Sequence, residues 1–319
     1  MSASNGYDFS IISIKPLHPT FAAEISGVDF SSPLSDETFK EIHQAVTKYG
    51  VVVFRRTGLT DEGHITFSRR FGELDDVTPY MKAGRKNRLK YPEIFDVSNV
   101  DADGSILDPA SARGQANKGN GLFHVDSSFN PRRAGYSLLL AHELPPSGMG
   151  GHTAFADTRT AYDDLSPELK KRLLDNDYVA CHSIYHSRKV AAPEAFANIN
   201  PLDYPMGRHK LVQRHEASGR MNLYIAAHVH HIEGLASEES QDLFNQLFKH
   251  ATRDENTVQI EWQAPGDLVI WDNTCTMHRA VGGPFLQKYK RDMRRTTVHD
   301  SSPTAWGLNE HTDVRQGLP

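Results

Sequence analysis

Cysteine is nearly missing from this chain: two residues in 319, Cys181 and Cys275, with no C-x-x-C pair. That excludes a disulfide framework and a thiolate zinc site, and makes a reducing, cytoplasmic setting the expectation. Long apolar runs are missing too. Nothing approaches the ~20 residues that cross a bilayer, and Met1 to Gly6 has neither the basic start nor the apolar stretch of a secretory signal. There is no excess of positive charge: 35 Lys and Arg stand against 40 Asp and Glu, a net charge of −5. Neither nucleic acid nor membrane is therefore expected as a partner. Three signatures are also absent. No G-x-S-x-G elbow suggests a hydrolase, and no G-x-x-x-x-G-K-[ST] or G-x-G-x-x-G suggests a nucleotide enzyme.

What remains is an ordinary globular composition, 38% hydrophobic and 24% charged. The length suits a single domain over 1–319, with a core from about 10 to 300 and a C-terminal tail over 301–319. Leu34-Ser35 opens a helix: Ser35 can cap it, Leu34 and Phe39 can staple it, and Phe39, Ile42, Val46 and Tyr49 recur at helical spacing until Gly50. Val51 to Phe54 reads as a buried strand, Thr60 caps a second helix that stops near Gly72, Ser166-Pro167 starts a third and Ser237 a fourth. Short apolar or alternating runs fill much of the rest: Ile94 to Val97, Tyr136 to Ala141, Thr153 to Ala156, Tyr178 to His182, Val258 to Trp262, Leu268 to Trp271 and Arg294 to His299. Many short strands with a few helices predict a mainly β protein with peripheral helices, a β-sandwich or jelly roll. Asp75 to Tyr91 and Asp101 to Gly121 read as long loops, a length that is uncommon unless the segment is disordered or functional, as in a lid.

Against this background His124-Val125-Asp126 stands out. In an extended segment residues i and i+2 share a face, which puts an imidazole beside a carboxylate. His278, far downstream, can complete a two-histidine, one-carboxylate set, which leaves positions open on a metal and suits Fe(II) oxygen chemistry; the same donors also suit zinc. An H-x-D pair alone is weak, because a hydrogen-bonded core histidine is commoner than a ligand. After His278 comes the basic run Lys288, Lys290, Arg291, Arg294 and Arg295. On a strand Arg291 and Arg295 share a face about 13 Å apart, and Arg294 points the other way. Two inward arginines are costly to bury unless each meets an anion, and Arg suits carboxylate recognition; a solvated basic edge strand is the plain alternative. Thr153, after Gly150-Gly151-His152, could add a hydroxyl beside an arginine. His228, His230 and His231 form the densest histidine cluster, most simply read as solvent-facing or hydrogen-bonded, with a second metal site as the alternative.

Taken together, His124-x-Asp126, Thr153, His278 and Arg291 resemble the taurine dioxygenase / 2,4-dichlorophenoxyacetate dioxygenase family of Fe(II)- and 2-oxoglutarate-dependent oxygenases. That family carries HxD, a Thr about two dozen residues on, a distal His, and an Arg ten to thirteen residues beyond it. Here 26 residues separate Asp126 from Thr153 and 12 separate His278 from Arg291. Pro16 to Ala23, Phe71 to Leu74, Asp96 to Val100, Trp271 to Asn273 and Met277 to Arg279 resemble the aryloxyacetate branch. The resemblance implies a double-stranded β-helix (a cupin-like jelly roll), with His124, Asp126 and His278 as iron ligands. It implies Arg291 with Thr153 on the distal carboxylate of 2-oxoglutarate, and Arg295 on the anionic head of a small organic substrate. Asn120, Phe129 and Tyr80 match substrate-pocket positions, as do His228 and His231. It also implies O2 as cosubstrate, succinate and CO2 as products, hydroxylation as the usual outcome with desaturation or ring closure as variants, and a homodimer or homotetramer. Two positions depart from the pattern: Phe123 stands where Trp is frequent, and Val77 stands where taurine dioxygenases carry a sulfonate-binding His, which points away from taurine itself. The rival readings are a non-catalytic jelly-roll sensor of small acids and a zinc-dependent hydrolase on the same barrel.

Overall fold

Continuous apolar strands, rather than alternating ones, dominate the centre of the fold, because both faces of the main sheet are covered. The structure is a computed structural model that describes residues 7–80 and 87–317. Its main sheet has seven strands in the order Ser13–Pro16, Ala23–Ser26, Val51–Phe54, Leu268–Asp272, Ala134–Glu143, Asp292–His299 and Phe95–Asp96. All neighbours are antiparallel except Ala23–Ser26 and Val51–Phe54. The register pairs Ile270 with Val52 and Leu138, and Val269 with Val53 and Leu139. Even and odd positions therefore define two faces. Val52, Phe54, Leu138, Leu140, Leu268 and Ile270 meet Ile42, Ala45, Val46 and Phe67 of two covering helices. Val51, Val53, Leu139, Val269, Trp271 and Met293 meet Phe155 and Ile260 of a second sheet.

That second sheet has three antiparallel strands in the order Thr257–Ile260, Thr153–Asp157 and Thr276–Ala280. Phe155 pairs with His278 and both face the main sheet, where the His278 ring lies 4.5 Å from that of Trp271. Ala156 and Met277 face outward and pack with Leu173, Leu243, Leu247 and Ala251 from two more helices. Each fully buried aliphatic side chain here is worth about 1.5–3 kcal/mol relative to exposure. The result is two facing sheets with helices on both outer faces, and no continuous closed barrel among the described strands.

The helices begin and end where their caps dictate. Ser35, Thr60 and Ser166 each accept a backbone N–H of the first turn, and Gly50 closes the first helix at φ 71° with its N–H on Val46 O. Ser237 is the first helical residue, but Ala236 holds the cap position and gives no side-chain bond. Three expectations shift. Thr60's helix ends at Arg69, before Gly72. His124 to Asp126 is not a strand: His124 makes a lone antiparallel bridge to His278, and Asp126 enters a turn. Asp101 to Gly121 is not a structureless loop: it contains a helix, Ala112–Asn117, capped by Ser111, and a 3-10 turn, Lys118–Gly121. Part of the other long segment, residues 81–86, lies outside the described residues; the part before it carries the 3-10 turn Thr78–Tyr80. The segment after residue 300 packs back onto the domain, with Gln316 N–H on Asn130 Oδ1 and Tyr185 O–H on Gly317 O.

Candidate active site

The bridge between His124 and His278 builds the site. His124 N–H donates to His278 O at 2.9 Å, and His278 N–H donates to His124 O at 2.8 Å. Residues paired this way sit directly opposite, so the two rings meet, with centroids 4.2 Å apart. Asp126 follows by two positions. Its Oδ2 stands 3.7 Å from His278 Nε2, too far for a hydrogen bond. The two atoms are close enough for one ion to be shared between them. One donor atom from each of the three residues lies within 4.8 Å of the others.

The electrostatics suit a cation as well. Burial pushes the His124 imidazole down to about 4 and His278 well below its ordinary range, so both rings are neutral with a lone pair to offer. His124 Nδ1 lies 2.7 Å from Leu122 O, an acceptor only, so Nδ1 carries the proton and Nε2 is free. Burial raises the Asp126 carboxyl, but Arg295 and the two histidines outweigh it and hold it at about 2, ionised. A buried chain orients it. Ser137 O–H donates to Asp126 Oδ2 at 2.7 Å, Asn273 Nδ2 donates to Ser137 Oγ at 2.9 Å, and Asn273 Oδ1 accepts the Asp126 N–H at 3.0 Å.

These groups open into a cavity of about 250 Å³. Strand parity fills most of it: Thr153 and His278 point in from the small sheet, Leu139, Trp271 and Arg295 from the main sheet, and Arg291 joins them. Arg294 faces the other way, to Asp61 Oδ2 at 2.6 Å. Arg291 directly precedes its strand and is 7% exposed. Its Nε donates to Gly151 O at 2.8 Å and its NH2 lies 3.5 Å from Thr153 Oγ1. No carboxylate pairs with it among the described residues, and burial pulls the guanidinium down to about 10. Thr153 Oγ1 accepts from Trp262 Nε1 at 3.1 Å, which leaves its proton to donate. Arg295 NH1 lies 2.5 Å from Asp126 Oδ1, and its Nε donates to Thr297 Oγ1 at 3.2 Å.

Of the expected pocket residues, Asn120, Phe129, Tyr80 and His228 line the cavity with the metal set. Tyr80 O–H donates to Asp75 Oδ2 and accepts from Asn130 Nδ2, both at 2.7 Å. His228 packs its ring 5.0 Å from Phe129 and holds Ser187 Oγ at 2.8 Å. His231 is not brought there: it pairs with Cys181 on another sheet, its Nδ1 2.9 Å from that of His230. His228 precedes the strand Val229–Ile232 and His231 lies three positions on within it, so closeness in sequence does not bring the two to one site. The sequence reading missed Ile184 and Arg188 of the helix Ile184–Ala191, and Gln316 and Gly317. Polar residues such as His186 to Lys189 carry no signal of burial, and the terminal segment has no motif.

The chain matches the family described as Taurine catabolism dioxygenase TauD, TfdA family over residues 13–297. It is 37% identical over 291 residues to the alpha-ketoglutarate-dependent 2,4-dichlorophenoxyacetate dioxygenase of Cupriavidus pinatubonensis, covering 90% of this chain and 97% of that one. It is 34% identical to the (S)-phenoxypropionate/alpha-ketoglutarate-dioxygenase of Sphingobium herbicidovorans, covering 86% and 91% respectively. The crystal structure of AAD-2 in complex with Mn(II) and N-oxalylglycine superposes with a TM-score of 0.84 at 35% identity, over 92% of this chain and 100% of that chain. No helix among the described residues is long and apolar enough to cross a membrane.

Proposed function

The chain belongs to the TauD/TfdA dioxygenase family and is an Fe(II)- and 2-oxoglutarate-dependent oxidoreductase; from that premise we propose how its residues divide the work. His124, Asp126 and His278 would hold Fe(II), as two neutral imidazoles and one ionised carboxylate facing a common point. Bound there with 2-oxoglutarate and O2, the iron supplies oxidative decarboxylation to succinate and CO2 and the oxidation of one C–H bond of a second substrate. Every other task falls to side chains. Arg291 and the free proton of Thr153 receive the distal carboxylate of 2-oxoglutarate. Arg295 holds Asp126 in its ionised form and turns its remaining edge to the second substrate. Phe129, Leu139, Ile184 and Trp271 give the cavity dry walls that strengthen those charge-assisted bonds. That second substrate is a small organic acid with an apolar body, the class to which the phenoxyacetate and phenoxypropionate substrates of the relatives belong. The usual outcome is hydroxylation.

The finer fold reading is a double-stranded β-helix, formed by the two facing sheets. The chain acts as a single domain, a homodimer or homotetramer, in the cytoplasm, where its two buried cysteines stay reduced. The observation that carries the reading is the metal set in one cavity with Arg291, which has no carboxylate partner among the described residues. It is tested by incubating the Fe(II)-loaded protein with 2-oxoglutarate, O2 and a panel of aryloxy, alkyl and sulfate-bearing acids, and measuring succinate. Acid-stimulated succinate that Zn(II) suppresses supports it. Succinate no higher than without acid, across the panel, refutes the substrate class.

A further inference from the structure

Six arginines of this protein are strongly perturbed by their surroundings, and these six fall into two groups. Arg88, Arg133, Arg159 and Arg208 each bind a carboxylate, at Asp96, Asp300, Asp157 and Glu233. Burial disfavours the charge of Arg133 and Arg159, but neighbours outweigh it and push the guanidinium of all four upward: Asp96 and Asp292 at Arg88, Tyr224 and Asp300 at Arg133, Asp157 at Arg159, and Glu233 at Arg208. Arg188 and Arg291 go the other way, burial pulling each down to about 10, and both line the cavity of the metal set. Arg291 has an anion assigned to it under the dioxygenase reading. Arg188 has none.

Arg188 comes from a different wall. It lies on the helix Ile184–Ala191, one turn after Ile184, so both present the same helix face to the cavity. Its NH2 donates to Asn120 Oδ1 at 3.0 Å. Solvent reaches part of the side chain, but Nε and NH1 are buried and have no acceptor among the described residues. Three N–H donors of a charged group are thereby left unanswered, an arrangement that costs stability until an anion arrives. Asp126 and Arg295 are near enough to act on its charge, yet neither bonds to it: Asp126 is already held by Arg295 and Ser137. Arg295 in turn has NH1 on Asp126 and Nε on Thr297. The arginine expected to take the substrate's head is thus largely engaged, while Arg188, whose Nε and NH1 have no acceptor among the described residues, faces the same space. Gly119 secures the arrangement: a Cβ there would sit 1.8 Å from Arg188 NH1 and 2.6 Å from its Cδ.

We propose that Arg188 is the principal receptor for the anionic head of the primary substrate, oriented by Asn120 and given its place by the missing side chain of Gly119. This rests on the dioxygenase reading for what the bound acid then undergoes, but the binding step needs no turnover. The geometry also gives the long segment before His124 a purpose. Its 3-10 turn, Lys118–Gly121, carries both Asn120 and Gly119, so an acid bound to Arg188 braces that turn over the cavity.

The test is calorimetric titration of the anaerobic Fe(II) and 2-oxoglutarate complex with phenoxyacetate, and with phenoxyacetamide as its neutral counterpart. Arg188→Gln is expected to weaken phenoxyacetate about thirty-fold or more, the loss of one buried charge-assisted pair, and to leave phenoxyacetamide and 2-oxoglutarate within about threefold. Arg188→Lys should recover part of the loss. Gly119→Ala, which keeps the charge but displaces it, should lower the preference for acid over amide. Retained 2-oxoglutarate binding shows that each variant is folded. The proposal is overturned if the wild type does not prefer the acid, if Arg188→Gln keeps that preference, or if acid and amide weaken equally, which would mark Arg188 as a strut for Asn120. Succinate release reports separately: acid preference lost in Arg188→Gln, in a protein that releases no succinate, would uphold the receptor and refute the oxygenase reading of this substrate.

Discussion

Replacing Arg291 by Met separates a structural arginine from a ligand-binding one, because the two roles predict opposite signs. Arg291 is buried and without a carboxylate partner among the described residues, and burial pulls its guanidinium down to about 10. A base whose folded pKa is depressed is harder to charge in the folded protein, so its charge destabilises the ligand-free fold at neutral pH. Met keeps most of the stem volume. The loss is the bond from Nε to Gly151 O at 2.8 Å, which leaves a carbonyl without its donor and costs about 1–3 kcal/mol. Relief of an uncompensated buried charge is worth several kcal/mol. Arg291→Met should therefore be at least as stable as the wild type without ligand. The price appears on ligand binding, where losing a desolvated charge pair costs about 2–5 kcal/mol, thirty-fold or more in 2-oxoglutarate affinity. At 2-oxoglutarate one hundred times the wild-type Kd, the wild type gains about 2.7 kcal/mol and a thirty-fold weaker variant about 0.9 kcal/mol. Urea unfolding with anaerobic Fe(II), with and without 2-oxoglutarate, measures both. A ligand-free variant destabilised by about 2 kcal/mol or more, or one that keeps the full ligand-induced gain, would refute the assignment.

His124→Ala, Asp126→Ala and His278→Ala should each abolish 2-oxoglutarate-dependent succinate release and bound iron while keeping the far-ultraviolet circular dichroism of the fold; near wild-type turnover in any one removes that residue from the ligand set. Burial disfavours a charged His215, but Cys275 and Asp272 outweigh it and raise the ring to about 10 from 6.5, while Asp272 is held at about 2. The His215 share of stability is thus complete below pH 6.5 and lost as pH rises through about 10, and the Asp272 share is complete above pH 3.8 and lost as pH falls through about 2. His215→Gln should lower Tm at neutral pH and flatten the alkaline fall; a variant with the wild-type alkaline profile would rule the pair out as its cause. Hydrogen exchange over residues 111–121 should slow when phenoxyacetate joins the Fe(II) and 2-oxoglutarate complex, and unchanged protection under turnover conditions would show that this segment is not a lid.

What was legible in the sequence was what depends on neighbours along the chain. Val51 to Phe54 and Leu268 to Trp271 read as buried strands because their apolar runs are unbroken, and the caps at Ser35, Thr60 and Ser166 follow from residue type alone. The parity of Arg291, Arg294 and Arg295 gave the two directions seen, toward the cavity and toward Asp61. The spacing of His124, Asp126 and His278 suggested a shared face, but the reason was different: a single bridge between distant segments, not a strand. Asp101 to Gly121 was misread because glycine and charge conceal a helix whose only signal is Ser111 at its cap. Arg188 was invisible for a deeper reason. Among His186, Ser187 and Lys189 it looks like surface, and its one side-chain hydrogen-bond partner among the described residues, Asn120, is 68 residues away. Its meaning lies in the carboxylate partner it lacks among the described residues, and that can be judged only after the fold has assigned acidic groups to other arginines. Arg291 has the same property, yet spacing from His278 flagged it. The two guanidiniums are both pulled downward by burial and are unequally visible in sequence, so motif spacing located the end of the cavity proposed for the cosubstrate and left the end proposed for the substrate's anionic head to three-dimensional charge pairing.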